Sequence, residues 1–255
     1  MEPFRRAWIS GGTRGIGLGL ARALLQREPG SKVWVSSRSG GKAEGARALV
    51  DEFGDERVVC KNMDITDIKS VDATTAAVAS ESDKKLDLVI NTVGLLHRDD
   101  KGPERRLRDV DPEWSVENYR VNALGPLLLA RALVEEHAFD RERLCCLANV
   151  SAKVGSIGDN RIGSWYSYRG SKAAQNQFNK SVAIELTRLR RAVVCVGLHP
   201  GTVDTQLSQP FSGGISHEIF SVEKAAGQLL DVLLGIDKNR DHGQLLNWDG
   251  SILPP

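Results

Sequence analysis

The sequence predicts an α/β protein built on a doubly wound parallel sheet with helices on both faces. Two observations predict this class. Short apolar runs alternate with longer helical patterns along the 255 residues, and each run is continuously apolar rather than alternately polar. Strands buried on both faces have this composition, and helices are the connections that a parallel sheet requires. Because no linker, repeat or low-complexity tract interrupts the order, we expect a single domain over residues 1–255.

The individual elements follow from these runs and from their start and stop signals. We predict strands at residues 7–10, 32–36, 58–61, 86–91, 144–150, 193–198 and 244–247. We predict helices at residues 16–27, 43–53, 68–79, 112–137, 164–188 and 222–234. The helix at 112–137 begins with the start signal Asp111-Pro112, and Gly125-Pro126 inside it predicts a bend or a restart.

Two long stretches are irregular, at residues 97–108 and 206–220. Long loops at the carboxyl ends of parallel strands are where such sheets bind ligands. We therefore predict a substrate loop at about residues 205–220. The apolar side chains of this loop are Phe211, Ile215, Ile219 and Phe220. They would either line a pocket or pack the loop against the rest of the domain.

Charge and hydropathy exclude several classes of protein. The chain has 34 Lys and Arg against 33 Asp and Glu, a net charge of +1, so we expect neither nucleic acid nor a membrane as a partner. The longest apolar stretch, at 124–134, is interrupted and too short to span a bilayer. The four Cys lie in apolar runs without C-x-x-C spacing, and the first residues lack a secretory apolar segment. These features favour reduced thiols, no metal site and a cytoplasmic location.

The turn after the first predicted strand has the composition of a phosphate cradle. Glycines allow the backbone to approach a pyrophosphate closely, and the helix that follows offers free N–H groups to the phosphates. A plain loop can also carry a glycine cluster, but the position between a strand and a helix favours a dinucleotide site. The residues expected to bind the cofactor here are Gly11, Thr13, Arg14, Gly15, Ile16 and Gly17.

The end of the second predicted strand indicates which dinucleotide fits. A carboxylate at this point would bond the ribose hydroxyls of NAD, but the sequence reads Ser36-Ser37-Arg38. Arg38 would form a charge-assisted fork with a 2′-phosphate, and Arg14 would close from the other side. The cofactor predicted is therefore NADP(H). The alternative is that Arg38 is a solvated loop cation.

Tyr168 and Lys172 are the candidates for the reacting groups. Four residues apart in a helical run, they share one helix face. A neighbouring ammonium favours the phenolate and lowers the pKa of a phenol, which then exchanges a proton with a carbonyl or alcohol oxygen as hydride moves. A surface Tyr–Lys pair is the alternative, and the glycine cradle upstream argues against it. We interpret Tyr166 as a pocket-wall aromatic.

Together these motifs resemble the short-chain dehydrogenase/reductase family over essentially the whole chain. The later segments 155–160 and 199–205 resemble the C-factor and sniffer-like branch of carbonyl reductases within that family. The resemblance implies a Rossmann-type sheet of about seven strands and an NADP(H)-dependent reaction between a carbonyl and an alcohol. The matching residues are Ser10-Gly11, Gly15, Gly17, Asp64, Asn91-Thr92-Val93-Gly94, Asn122, Ser151, Tyr168, Lys172, Pro200-Gly201 and Thr205.

The resemblance also implies a role for each matching position. Tyr168 would be the general acid/base, Lys172 would bond the nicotinamide ribose and tune Tyr168, and Ser151 would contribute to catalysis. Asn122 would hold a water in a proton relay to Lys172, unless it bonds backbone inside its helix. Asp64 would receive the adenine amino group beside Ile65, unless it caps the next helix, a role for which Thr66-Asp67 competes. The remaining cofactor contacts implied are Asn91 and Gly94 at the adenosine ribose, Pro200, Gly201, Thr202 and Val203 at the nicotinamide, and Thr205 at the carboxamide or a phosphate.

One departure from the family pattern bears on catalysis. Members usually have two adjacent serines after the fifth strand, the second of which polarises the substrate oxygen, but this sequence reads Ser151-Ala152. Alanine has no side-chain donor, so Ser151, Ser156 or a backbone N–H would take the role. Loss of such a donor typically costs about 10²–10³ in turnover.

We therefore predict an NADPH-dependent carbonyl reductase with a small-molecule carbonyl or alcohol as substrate. The alternative is a dinucleotide-binding signalling or sensor protein with weak or no turnover. The family resemblance further implies a homo-oligomer, a dimer or a tetramer, with the helices at 112–137 and 164–188 as candidate dimer faces.

Overall fold

The computed structural model of the chain describes residues 3–211, 213 and 218–255. A seven-stranded sheet forms its centre, in the order β3-β2-β1-β4-β5-β6-β7, and each neighbouring pair is parallel. This confirms the predicted doubly wound sheet and the number of strands. The strands are β1 (Arg6–Ser10), β2 (Lys32–Ser37), β3 (Val58–Asn62), β4 (Leu88–Asn91), β5 (Cys145–Val150), β6 (Val193–His199) and β7 (Leu245–Asn247).

Helices cover both faces of the sheet. They are α1 (Gly15–Arg27), α2 (Glu44–Phe53), α3 (Ile68–Glu81), α4 (Pro112–Tyr119), α5 (Gly125–Glu135), α6 (Tyr166–Arg188), α7 (Val222–Leu234) and α8 (Lys238–Asp241). The sequence did not predict α8, because four residues are too short to show a helical period. The chain order reverses between β1 and β4, which creates a crevice at the carboxyl ends of those strands, the usual ligand site of such sheets.

Two apolar layers hold the helices onto the sheet. One layer includes Leu20 and Leu24 of α1 with Leu229 of α7, all buried against β1 and β4. The other includes Leu129 of α5 and Leu186 of α6 on the opposite face. Each fully buried side chain of this size contributes about 1.5–3 kcal/mol through removal of apolar surface from water.

The predicted helix at 112–137 is two helices joined by a wide turn. Asp111 caps α4 by accepting hydrogen bonds from the backbone N–H groups of Glu113 and Trp114, as its start signal predicts. A π-helical turn, Arg120–Leu124, then separates α4 from α5. Pro126 has no N–H, and its ring would clash with the carbonyl of Asn122 in a regular helix, so the chain widens there.

The described residues also include the cysteines and part of the predicted substrate loop. Three cysteines are buried and Cys60 is half-buried, all as free thiols. Within the described ranges, no helix has the length and hydropathy to cross a membrane, and no cluster of three His, Cys, Asp or Glu side chains forms a metal site. Phe211 and Phe220 of the substrate loop are described, whereas Ile215 lies outside the described residues.

Candidate active site

The glycine loop lies at the carboxyl end of β1, beside the crevice. Gly11 has a left-handed backbone (φ +79°), and a Cβ atom there would lie 2.6 Å from Thr92 Oγ1. A Cβ atom on Gly17 would lie 2.4 Å from the carbonyl oxygen of Gly11. Both positions therefore require glycine, because β4, β1 and the start of α1 approach too closely for a side chain.

The start of α1 faces this loop with its backbone N–H groups. Arg14 is the exposed N-cap residue and Thr13 is buried just before it. A Cβ atom on Gly15 would lie 3.6 Å from the Thr205 methyl group, so the segment after β6 reaches the glycine loop. Ile16 packs against the cluster that contains Val203. The structure thus brings together the two segments that the sequence assigned to phosphates and nicotinamide.

Two buried polar atoms in this crevice have no partner within the described part of the chain. They are Ser10 Oγ, at the end of β1, and Asn91 Nδ2, at the end of β4. Buried polar atoms in proteins are almost always hydrogen-bonded. Two such atoms beside a glycine cradle fit a bound ligand rich in hydroxyl and phosphate oxygens, which is the character of a dinucleotide.

Arg38 and Asp64 lie at the ends of β2 and β3. Arg38 is exposed. Burial raises the pKa of the Asp64 carboxyl, but the hydrogen bonds from Thr66 and the positive charges of Arg38 and Arg120 outweigh it and hold the pKa below its usual value. Asp67, and not Asp64, caps α3. Asp64 is therefore not required as a cap, and its carboxylate is ionised near the Arg38 guanidinium.

Ile65 and Gly94 hold the edges of the crevice in place. Ile65 is buried, and a Cβ atom on Gly125 would lie 2.9 Å from its carbonyl oxygen, so α5 contacts this turn closely. A Cβ atom on Gly94 would lie 3.7 Å from Asn122 Oδ1 and 3.9 Å from Lys172 Nζ. Gly94 therefore adjoins two of the predicted catalytic side chains.

Asn122 bridges the β4 loop and α6 from within the π-helical turn. Its Oδ1 accepts a hydrogen bond from the Leu95 N–H (2.7 Å), and its Nδ2 donates to the Leu95 carbonyl (2.8 Å) and to Ser171 Oγ (3.0 Å). Its backbone partner is therefore Leu95 in the loop after β4 and not a residue of its own helix.

Lys172 is a buried cation on α6. Its Nζ donates to the Val150 carbonyl at 3.0 Å and to Gln175 Oε1 at 2.9 Å, which leaves one of its three hydrogens for another acceptor. Burial penalises the charged form and lowers the pKa of Lys172 to about 7.

Tyr168 is 8 % exposed, and Lys172 Nζ lies 5.9 Å from its ring centroid. The two side chains share a face, as their spacing predicts. The Tyr168 hydroxyl forms no hydrogen bond to another residue in the described ranges. Burial raises the pKa of Tyr168, opposite to the lowering expected from the sequence. Desolvation disfavours the phenolate more than an ammonium at this distance favours it.

The candidate serines are both engaged elsewhere. Ser151 Oγ donates to Asn176 Oδ1 at 2.6 Å. Ser156 Oγ donates to the Pro255 carbonyl at 3.3 Å and accepts from the Asp159 N–H. In this arrangement both hydroxyl hydrogens point to protein acceptors.

The segment that follows β6 makes the opposite wall. Gly201 has φ +76°, and a Cβ atom there would lie 2.7 Å from the Phe220 ring. Pro200 and Val203 are buried, and Thr202 accepts a hydrogen bond from the Phe220 N–H through its carbonyl. The Phe220 side of the substrate loop is thereby fixed to this wall.

Trp165 is a site residue that sequence reasoning missed. Its ring contacts Tyr168 edge to face with the centroids 6.2 Å apart, and it contacts Phe211 in the same way at 5.6 Å. Tyr166, the predicted wall aromatic, is 41 % exposed. The helix α6 begins at Tyr166, directly after Gly163, Ser164 and Trp165 adopt left-handed backbones.

A glycine loop at the switch point of a parallel sheet is typical of nucleotide-binding proteins of the doubly wound class. The family model "short chain dehydrogenase" matches residues 5–214, and the chain belongs to this family.

Several known proteins are similar over much or nearly all of the chain. A 1-hydroxy-2-glutathionyl-2-methyl-3-butene dehydrogenase of Rhodococcus sp. is 30% identical over 96% of this chain and 97% of its own length. C-signal of Myxococcus xanthus is 31% identical over 66% of this chain and 92% of its own.

Two solved structures confirm the fold. The NADPH-bound carbonyl reductase from chicken fatty liver is 26% identical, with a TM-score of 0.84 over 99% of this chain and 94% of its own. The carbonyl reductase Sniffer of D. melanogaster is 24% identical, with a TM-score of 0.84 over 99% and 100% of the two chains, and at this identity it shows the fold alone. The family resemblance is thus confirmed by the family model, and the chicken enzyme contains the cofactor predicted from Arg38.

Proposed function

We propose that this chain is an NADP(H)-dependent oxidoreductase that reduces a small carbonyl compound to an alcohol. The observation that carries the proposal is the hydroxyl of the largely buried Tyr168, left without a protein partner in the described ranges, on the same helix face as Lys172. The decisive experiment follows NADPH oxidation with benzaldehyde, hexanal and diacetyl as carbonyl probes. Oxidation that depends on both the carbonyl and the enzyme supports the proposal.

The crevice offers a contact for each part of NADP(H). The glycine loop and Arg14 would hold the pyrophosphate, Arg38 the 2′-phosphate, and Asp64 with Ile65 the adenine. Asn91 and Gly94 would lie along the adenosine ribose, and Lys172 would bond the nicotinamide ribose through its remaining hydrogen. Pro200, Gly201, Thr202, Val203 and Thr205 would edge the nicotinamide end. When bound, the nicotinamide supplies the hydride that the protein's own side chains do not have.

Tyr168 is suited to donate a proton during reduction. Since burial raises its pKa, the phenol is protonated at neutral pH and is ready to act as a general acid toward a carbonyl oxygen. The Lys172 ammonium would then stabilise the charge left on the phenolate. Oxidation of an alcohol needs the phenolate first, so it would be favoured by alkaline pH.

Lys172 gives the reaction a predicted pH dependence. Its pKa of about 7 means that the ammonium is present below this pH and is lost as the pH rises through it. We expect kcat/KM for NADPH in carbonyl reduction to fall as the pH rises through about 7, because that parameter reports ionisation of the free enzyme. The measurement is a rate profile from pH 5.5 to 9.5 at constant ionic strength. An inflection near pH 7 that persists in Lys172→Met would contradict the assignment.

Arg38 gives a prediction for cofactor preference. A charge-assisted hydrogen bond to the 2′-phosphate contributes about 1.5–3 kcal/mol, so Arg38→Ala should raise the Kd of NADPH by about 10- to 100-fold. NADH lacks this phosphate, and its Kd should change less than about threefold. Arg141→Ala is the matched control. Arg141 is exposed and precedes β5, so it lies at the amino ends of the strands, away from the crevice. Equal losses for both cofactors would refute the role of Arg38.

A second candidate function is a nucleotide-binding protein with little turnover. The observations that favour it are Ala152 and the engagement of both serine hydroxyls. The similarity to C-signal is compatible with it. Tight NADPH binding without oxidation in the presence of any of the three carbonyl probes would select this function. A single domain, a homo-oligomeric state and a cytoplasmic location also stay proposals.

A further inference from the structure

The reduction proposed above places a chemical demand on the site. As hydride reaches the carbonyl carbon, negative charge develops on the oxygen, and donors aimed at that oxygen stabilise the transition state. Tyr168 is one donor. Ala152 has no polar side-chain atom, and the hydroxyls of Ser151 and Ser156 donate to Asn176 and Pro255. With these two hydroxyls engaged, the second donor is either a backbone N–H or another side chain near Tyr168.

Trp165 carries a donor group and lies beside Tyr168. Its ring lies against Tyr168, with 6.2 Å between the centroids at an interplanar angle of 72°. The side chain is partly exposed, so it borders open space beside the phenol. An indole N–H is a donor with no acceptor capacity, and that of Trp165 has no acceptor among the residues that the structure describes. The group is available to a substrate.

The backbone that carries Trp165 is held in an unfavourable conformation. Gly163, Ser164 and Trp165 have φ values of 70°, 55° and 54°. A non-glycine residue in this region costs about 1–3 kcal/mol and persists where the surroundings enforce it, often at functional sites. Ser164 and Trp165 are two such residues in succession, directly before α6. Contacts with the rest of the protein must therefore stabilise this conformation of Trp165.

Glu104 and Arg169 enforce that conformation. The backbone N–H of Trp165 donates to the Glu104 carbonyl at 2.6 Å. The Glu104 carboxylate accepts from the backbone N–H of Ser167 at 3.1 Å, so a residue of a distant loop caps α6. Arg169 Nε donates to the carbonyls of Gly163 and Ser164, both at 3.0 Å. Contacts from two sides thus fix the turn and, through it, the Trp165 ring.

We propose that Trp165 is a catalytic residue whose indole N–H donates a hydrogen bond to the substrate oxygen. The inference rests on the proposed function. The carbonyl carbon would receive hydride from bound NADPH, the Tyr168 proton would pass to the oxygen, and the Trp165 hydrogen would stay on its nitrogen throughout. The indole thereby replaces a hydroxyl that position 152 lacks.

Four proteins test this: the wild type, Trp165→Phe, Ala152→Ser and the double variant. Phenylalanine retains an aromatic ring against Tyr168 but removes the N–H. Trp165→Phe should lower kcat for benzaldehyde reduction by about 10- to 100-fold. The Kd of NADPH should change less than about threefold, because the indole contacts substrate and not cofactor. Adding Ala152→Ser should raise kcat by about tenfold or more in the Trp165→Phe background and by less than about threefold in the wild type.

Other outcomes overturn the inference in distinguishable ways. If Trp165→Phe lowers kcat no more than the exposed neighbour variant Tyr166→Phe, the indole is not a donor. If the serine accelerates both backgrounds equally, the wild type lacks the second donor, and Ala152→Ser alone reveals this even if Trp165→Phe fails to fold. Absence of turnover in the wild type, with NADPH still bound, instead refutes the proposed function and the inference with it.

Discussion

Substitution of Tyr168 by phenylalanine is expected to lower kcat for carbonyl reduction by about 10²–10⁴-fold, the usual contribution of a positioned general acid. The hydroxyl is removed while the ring keeps its contacts with Trp165 and Lys172. Because Tyr168 Oη has no protein partner in the described ranges, its removal leaves no protein donor or acceptor unpaired. Steady-state rates with the three carbonyl probes measure kcat, and fluorescence titration measures the Kd of NADPH.

The matched control for this variant is Tyr166→Phe. Tyr166 lies on the same helix, loses the same hydroxyl and is 41 % exposed. We expect its kcat to stay within about twofold of the wild type, since surface substitutions rarely change more than about ±0.5 kcal/mol. Reduction that continues at the wild-type rate in Tyr168→Phe would remove the phenol from the mechanism.

Substitution of Gly11 by alanine is expected to raise the Kd of NADPH by about 100-fold or more. The new Cβ would lie 2.6 Å from Thr92 Oγ1, so the loop must move away from β4. Movement misaligns the backbone N–H groups with the pyrophosphate, and two charge-assisted hydrogen bonds are together worth about 3–6 kcal/mol. Fluorescence titration gives the Kd, and thermal denaturation gives the change in stability.

Gly250→Ala controls for backbone strain alone. Gly250 has φ +82° against +79° for Gly11, but its added Cβ would meet no atom closer than Val232 Cγ2 at 3.8 Å. Both variants should lose about 1–2 kcal/mol of stability from the left-handed backbone, and Gly11→Ala should lose more because its Cβ also meets Thr92. If Gly250→Ala weakens NADPH binding as much as Gly11→Ala, then close approach at the glycine loop is not what the cofactor requires.

The sheet and most helix positions were predictable because apolar periodicity reports burial directly. The α7 bounds, Val222–Leu234, agree with the prediction, and the Ser221 side chain caps that helix. The bend at Gly125-Pro126 was predictable from the missing N–H of proline. Its form, a π-helical turn, was not, because the missing N–H of Pro126 does not by itself decide between a kink and a widened turn.

The site was predictable where spacing along one element decides geometry. Tyr168 and Lys172 share a helix face, and the glycine loop lies between β1 and α1 as expected. The pKa directions were not predictable, since burial depends on the packed environment of each group. Trp165 was missed because its left-handed backbone is imposed by Glu104, a residue in a distant loop that carries no local sequence signal.

The π-helical turn changes the direction in which the side chains of α5 point relative to those of α4. One extra residue rotates everything that follows by about 100° relative to a continuous α-helix. With this rotation, Asn122 reaches the β4 loop while Leu129 of α5 still faces the sheet interior. Deletion of one residue in this turn would restore a regular α-helix. The chain would then lose either the hydrogen bonds between Asn122 and Leu95 or the burial of the apolar face of α5 against the sheet.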